Sequence, residues 1–165
     1  MSSPDNDNRN QVVAHYKDGK LLKGYTHDFV PRKPSFHLTS EQVADKGEVY
    51  EVRIADLKAA FFVKTLEGDR FYHEKKGFRE VDTSHLKGLR IEIHFKDGEV
   101  LRGTTVDYND TKQGFFVSPV DPKSNNVLVY ANADAVQDIK LAGDVVDEPG
   151  LVYKDIWGSA SKFID

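Results

Sequence analysis

Six histidines, two polar loops and a few clustered cations are the residues of this chain whose types could do chemistry. A metal site needs histidines or carboxylates that one element delivers to a shared point, as a helix does for residues four apart. His27, His37, His73 and His85 have neither that spacing nor the carboxylate companions of a metal cluster, and His15 and His94 occupy matching positions of separate segments. The expectation is therefore no metal and no cofactor. With no cysteine, disulfides, thiolate ligation and a thiol nucleophile are excluded. The chain contains no GxSxG elbow, Walker loop, HExxH or GxGxxG, and no serine or aspartate has a base at motif spacing, so it reads as a non-enzyme.

The cations are the next resource. Arg32 with Lys33, and Lys75 with Lys76 and Arg79, form local basic patches. A surface that grips a phosphate backbone works by releasing counterions and carries a basic surplus. Here residues 91–142 hold five Lys or Arg against eight Asp or Glu, residues 143–165 hold two against five, and the whole chain is at -4. Such a balance favours a protein partner over nucleic acid. It leaves Arg32, Lys33, Asn109, Lys112, Gln113 and Lys123 as the contact residues for a partner or for RNA.

The elements that must position these groups are written twice. HYKDGKLLKG at 15–24 returns as HFKDGEVLRG at 94–103, 79 positions later. At the same offset Thr26 falls over Thr105, Asp28 over Asp107, Lys33 over Lys112 and Phe36 over Phe115. The apolar set Val49, Leu57, Ala60 and Phe62 falls over Leu128, Val136, Ile139 and Leu141. A single repetition at so long a period indicates a duplicated small unit and not a solenoid.

Each copy reads as β. Ile91, Ile93 and Phe95 alternate with Glu92, His94 and Lys96, which places an apolar face and a polar face on one strand. Asp97-Gly98 supplies a tight hairpin turn. The strand that returns carries an internal glycine, Gly24 or Gly103, at a bend or close backbone approach. Five strands per copy follow: 11–17, 21–28, 35–39, 48–54 and 58–63 in the first, and their counterparts up to 136–141 in the second. The expected architecture is all-β, two tandem five-stranded small barrels related by internal pseudo-symmetry. The units run 1–10 as a disordered tail, 11–66 as the first barrel, 67–88 as a structured linker, 89–142 as the second barrel and 143–165 as an acidic C-terminal tail. The linker has room for a short helix capped by Thr83 or Ser84.

The stretches VVAHYKDGKLLKGYTHDF and IEIHFKDGEVLRGTTVDYN resemble the first signature of the Sm-like family, the family of the Hfq-type RNA chaperones, whose small barrels are also SH3-like. The resemblance covers about two thirds of the chain. It implies bent five-stranded barrels and, in the family at large, ring assembly and single-stranded RNA binding. The chain is also similar to uncharacterised bacterial domains that accompany signalling modules. The region of the second signature here is VYANADAV, without a basic residue. Asn109-Asp110-Thr111-Lys112-Gln113-Gly114 loosely resembles the cyclic-dinucleotide loop of PilZ domains, although the arginine pair spaced four apart that precedes it there is missing.

These readings rank a non-enzymatic bacterial adaptor or regulatory binding protein first, an Sm-like RNA binder second and a PilZ-like sensor third. A cytoplasmic location is expected, since no basic-then-apolar leader opens the chain and no stretch approaches the ~20 apolar residues of a membrane helix. The fused copies suggest a monomeric pseudo-dimer or a small homo-oligomer. In the tail, Tyr153, Ile156, Trp157 and Phe163 form an apolar motif expected to dock on the barrels or on another protein, with helix and strand both open.

Overall fold

The computed structural model describes residues 9–142 together with the strands at 153–158 and 160–163. The first copy forms β1 (Asn10–Tyr16), β2 (Leu21–Thr26), β3 (Ser35–Ser40), β4 (Val49–Arg53) and β5 (Leu57–Val63). The second forms β6 (Leu89–Phe95), β7 (Val100–Thr105), β8 (Gly114–Pro119), β9 (Asn126–Asn132) and β10 (Val136–Leu141). The fold is all-β, and its few helical turns are single 3-10 turns. The ten strands do not form two separately closed sheets. They form one open antiparallel sheet in the order β10-β6-β7-β8-β9-β5-β1-β2-β3-β4.

The two halves of that order are the same five strands in the same sequence, and their registers agree at the offset of the repeat. Val12 lies opposite Gly24 as Ile91 lies opposite Gly103. Gly24 faces Ser40 as Gly103 faces Pro119, and Val12 faces Phe62 as Ile91 faces Leu141. Even the irregularity recurs. A bulge at the start of β5 leaves Lys58 unpaired between Leu57 and Ala59, and its equivalent in β10 leaves Gln137 unpaired between Val136 and Asp138. Gly24 and Gly103 are required for one reason: a Cβ would stand 1.9 Å from the Thr39 carbonyl oxygen or 2.1 Å from that of Ser118.

The copies meet where β5 pairs with β9, Ala60 facing Tyr130 and Phe61 facing Val129. Val12, Ala14, Phe36, Leu38, Val52, Ile54, Leu57 and Ala60 make the first core, and Tyr130 from the second copy completes it. Phe29 holds the seam, its ring 5.1 Å from that of Phe62, 5.5 Å from that of Tyr130 and 6.3 Å from that of Phe116. Ile91, Ile93, Phe95, Phe115, Val117, Ala131 and Ala135 form the second core.

The helical content of the linker is limited to short turns. It contains two 3-10 turns, Phe78–Glu80 and Thr83–His85, and the residue that caps the second is Asp82, whose carboxylate accepts the Ser84 amide at 3.0 Å. Through Phe78, which is buried, and Tyr72, whose hydroxyl donates to Asp121 at 2.5 Å, the linker packs on the second copy. Its Lys76 carbonyl reaches Arg102 at 3.5 Å. The polar face of β6 is consequently not all in water: the Glu92 side chain is only 4% exposed, and it accepts from Arg102 at 2.9 Å and pairs with His94 at 2.5 Å.

The tail forms a separate hairpin of β11 (Tyr153–Gly158) and β12 (Ala160–Phe163). The side chains of Tyr153, Ile156, Trp157 and Phe163, and with them the docking expectation, lie outside the described residues. Among the described residues no helix is long and apolar enough to cross a membrane.

Candidate functional site

The second copy shows a site that is filled, and the first shows its equivalent open. Lys58 leaves the regular strand at the bulge, which aims it across the seam into the second copy. Its ammonium lies 4.6 Å from the ring centroid of Phe95, donates to Asp97 at 2.7 Å and pairs also with Glu99, while only 4% of the side chain is exposed. Burial pushes the Asp97 carboxyl up, but the hydrogen bonds from Lys58 and from the Glu99 amide outweigh it and hold the pKa below the usual value. Nearby His15 is pushed down, first by burial and then by the Lys58 charge. Beside this clamp Asn132 donates to the carbonyls of Ile54 at 3.1 Å and Leu57 at 2.9 Å, and Lys17 reaches Asp134 at 3.5 Å. What remains is a cleft of about 400 Å3 bordered by Lys17, Lys58, Lys96, Asp97, Asp134 and Ala135.

In the first copy the corresponding place is a larger cleft of about 660 Å3, lined among others by Tyr16, Asp18, Lys20, Asp45, Tyr50 and Asp56. Local chemistry builds it. The Asp18-Gly19 turn is closed by the Gly19 amide donating to Tyr16 at 3.0 Å and by Asp18 accepting the Lys20 amide at 2.9 Å. Asp45 accepts from Ser40 and from Tyr50, each at 2.5 Å, and these bonds hold its carboxyl below the usual value. Burial, then Asp56 and Asp18, push the Tyr16 phenol up. Because no strand lies over β4 among the described residues, Tyr50 is 37% exposed, whereas Val129, its counterpart under β5, is fully covered. Tyr16 is likewise half-buried where Phe95 is buried.

The sequence-based contact residues fall elsewhere. Arg32 and Lys33 are exposed in the β2–β3 loop, Asn109, Lys112 and Gln113 are exposed in the equivalent β7–β8 loop, and Lys123 is exposed in the β8–β9 loop. Lys112 is turned onto its own loop, 3.3 Å from the Asp107 carbonyl oxygen and 3.6 Å from its carboxylate. Asn109 accepts from the Thr111 amide at 2.9 Å and hydroxyl at 2.7 Å, which is turn chemistry. The cleft residues were missed because Tyr16 and Tyr50 read as core or strand positions; Lys20 standing where the repeat has Glu99 was the visible sign that the two turns do different work. Among the described residues no group of three His, Asp or Glu could hold a metal ion. A family model described as a family of unknown function, DUF6982, matches residues 8–143. No curated protein and no solved structure matches the chain.

Proposed function

Since the chain belongs to this family of unknown function, DUF6982, we propose its role from its own architecture: a non-enzymatic cytoplasmic adaptor made of two Sm-like small barrels fused through one strand edge. Support for the barrel reading comes from the five-strand order of each half, the sharp approach at Gly24 and Gly103, and the 3-10 turns that carry β4 into β5 and β9 into β10. The observation that carries the binding role is the unequal treatment of two equivalent edges. β9 is covered by β5, while among the described residues no strand pairs with the outer side of β4, whose row of backbone donors and acceptors lies beside an open cleft. Exposed edges of this kind take up extended segments of other chains.

The test is affinity capture by the tagged full chain from its host, with and without nuclease, followed by cross-linking. A nuclease-resistant protein contact supports the adaptor. Loss of every contact on nuclease treatment, together with salt-sensitive binding of single-stranded RNA, replaces it with the RNA reading through the Arg32, Lys33 and Lys112 loops.

A further inference from the structure

Resting on that adaptor reading, we infer that the β4 edge and the Tyr16–Asp18–Asp56 cleft bind an extended segment of a partner protein in which a lysine or arginine precedes a run of small and aromatic residues. The molecule already contains one occupied example of this interface. In the second copy the occupant is β5, Lys58-Ala59-Ala60-Phe61-Phe62, paired antiparallel to β9 with its lysine over the Phe95 ring and against Asp97. Moved back by the repeat, Phe95 becomes Tyr16, Asp97 becomes Asp18, and the residues opposite the strand, Val129 to Ala131, become Tyr50 to Val52. The first copy therefore offers an aromatic face for a cation, an acid beside it and an open strand edge.

The acids are rearranged between the copies. Glu99 is replaced by Lys20, but Ala135 is replaced by Asp56 and Ser124 by Asp45, so the cleft of the first copy keeps three carboxylates against Lys17 and Lys20. Lys17 is already turned toward Asp134 at 3.5 Å. A cation entering between Tyr16 and Asp18 meets attraction from the ring quadrupole and from the carboxylates.

A second copy of this chain is the competing occupant, because its β10 is the counterpart of β5. Its residues argue against it. β10 carries Gln137 where β5 has Lys58, Asp138 where β5 has Ala59 and Lys140 where β5 has Phe61. On the β4 side, Glu51 stands where Tyr130 makes the aromatic seam, and His37 stands where Phe116 does. With Gln137 in place of the lysine, β10 brings no cation to the cleft, and Asp138 would add an acid beside its three carboxylates, so β10 fits the β4 edge worse than a β5-like segment does.

The experiment titrates the full chain into a fluorescein-labelled peptide of sequence LKAAFFVKTL, the segment from Leu57 to Leu66, and follows anisotropy, with hydrogen exchange to locate it. Saturable binding is expected, with new protection at Val49–Arg53. Replacing the peptide's first lysine by glutamate, or using the Asp18→Asn/Asp56→Asn chain, should each weaken binding by at least about tenfold. Asn at position 18 can still accept the Lys20 amide, so the thermal melt of that chain should be unchanged. Four results overturn the inference: no saturable binding to about 1 mM, indifference to both charge changes, protection on β9 instead of β4, or sedimentation showing self-association through the β4 edge. If the peptide fails while a nuclease-resistant partner cross-links elsewhere, the adaptor reading stands and only this site falls.

Discussion

Lys58 of the first copy stands 4.6 Å over the Phe95 ring of the second and 2.7 Å from its Asp97. A lysine has thus crossed the seam between two halves that are separate in the sequence. Lys58→Ala should cost about 1–2 kcal/mol, below the usual cost of breaking a fully buried pair because Asp97 and Glu99 are roughly half in water. The loss should shrink in the double variant with Asp97→Asn, which a double-mutant cycle in chemical denaturation measures.

Phe95 and Tyr16 are equivalent positions with unequal cover. Phe95→Ala should cost about 3–5 kcal/mol, as for an aromatic side chain removed from a packed core. Tyr16→Ala, at the mouth of the open cleft, should cost at least about 1 kcal/mol less. Equal losses in urea melts would mean that the two sites are filled alike.

The close approaches at β2 and β7 give a sharper contrast. Gly24→Ala puts a methyl 1.9 Å from a backbone oxygen, so the strands must part, and at least about 3 kcal/mol should be lost. Gly19→Ala has open space around it and only its φ of 95° to accommodate, for about 1–2 kcal/mol. Soluble yield and thermal midpoint of the two variants check the order.

Burial pushes the Glu92 carboxyl up, but His94 and Arg102 outweigh it and leave the pKa below the ordinary 4.5. A carboxylate more acidic in the folded state stabilises that state above the unfolded value and ceases to do so as the pH falls through the folded one. Glu92→Gln, which removes the negative charge beside the largely buried Arg102 but leaves its contact with the Lys76 carbonyl, should cost about 2 kcal/mol near pH 7. The gap between the two proteins should stay constant above about pH 5 and narrow below about pH 4. Denaturant midpoints across that range make the comparison.

The duplicated decamer made the strands, the Asp-Gly turns and the two bent glycines legible, because local chemistry decides each of them. β10 has the expected limits, and the others shift by one or two residues at an end. What the sequence did not carry was the neighbour of each edge. The pairing of β5 with β9 joins residues about seventy positions apart, and no local pattern encodes it. Lys58 reads as one more polar strand residue until the bulge aims it across the seam, and Glu92 reads as one more residue of a polar strand face until the linker carbonyl of Lys76 and the buried Phe78 close over that side.

Tyr130 is written in the second copy and packs in the core of the first. A calorimeter should therefore record one melting event for residues 9–142, with calorimetric and van't Hoff enthalpies in agreement, although the chain reads as two consecutive units. Neither half is expected to fold by itself: cut at the linker, the first is left with an aromatic seam facing water and the second with a strand that has lost its neighbour. Amide exchange in β1 and β6 should accordingly slow to a common rate set by whole-molecule opening, so that the duplication, once fused, behaves thermodynamically as a single entity.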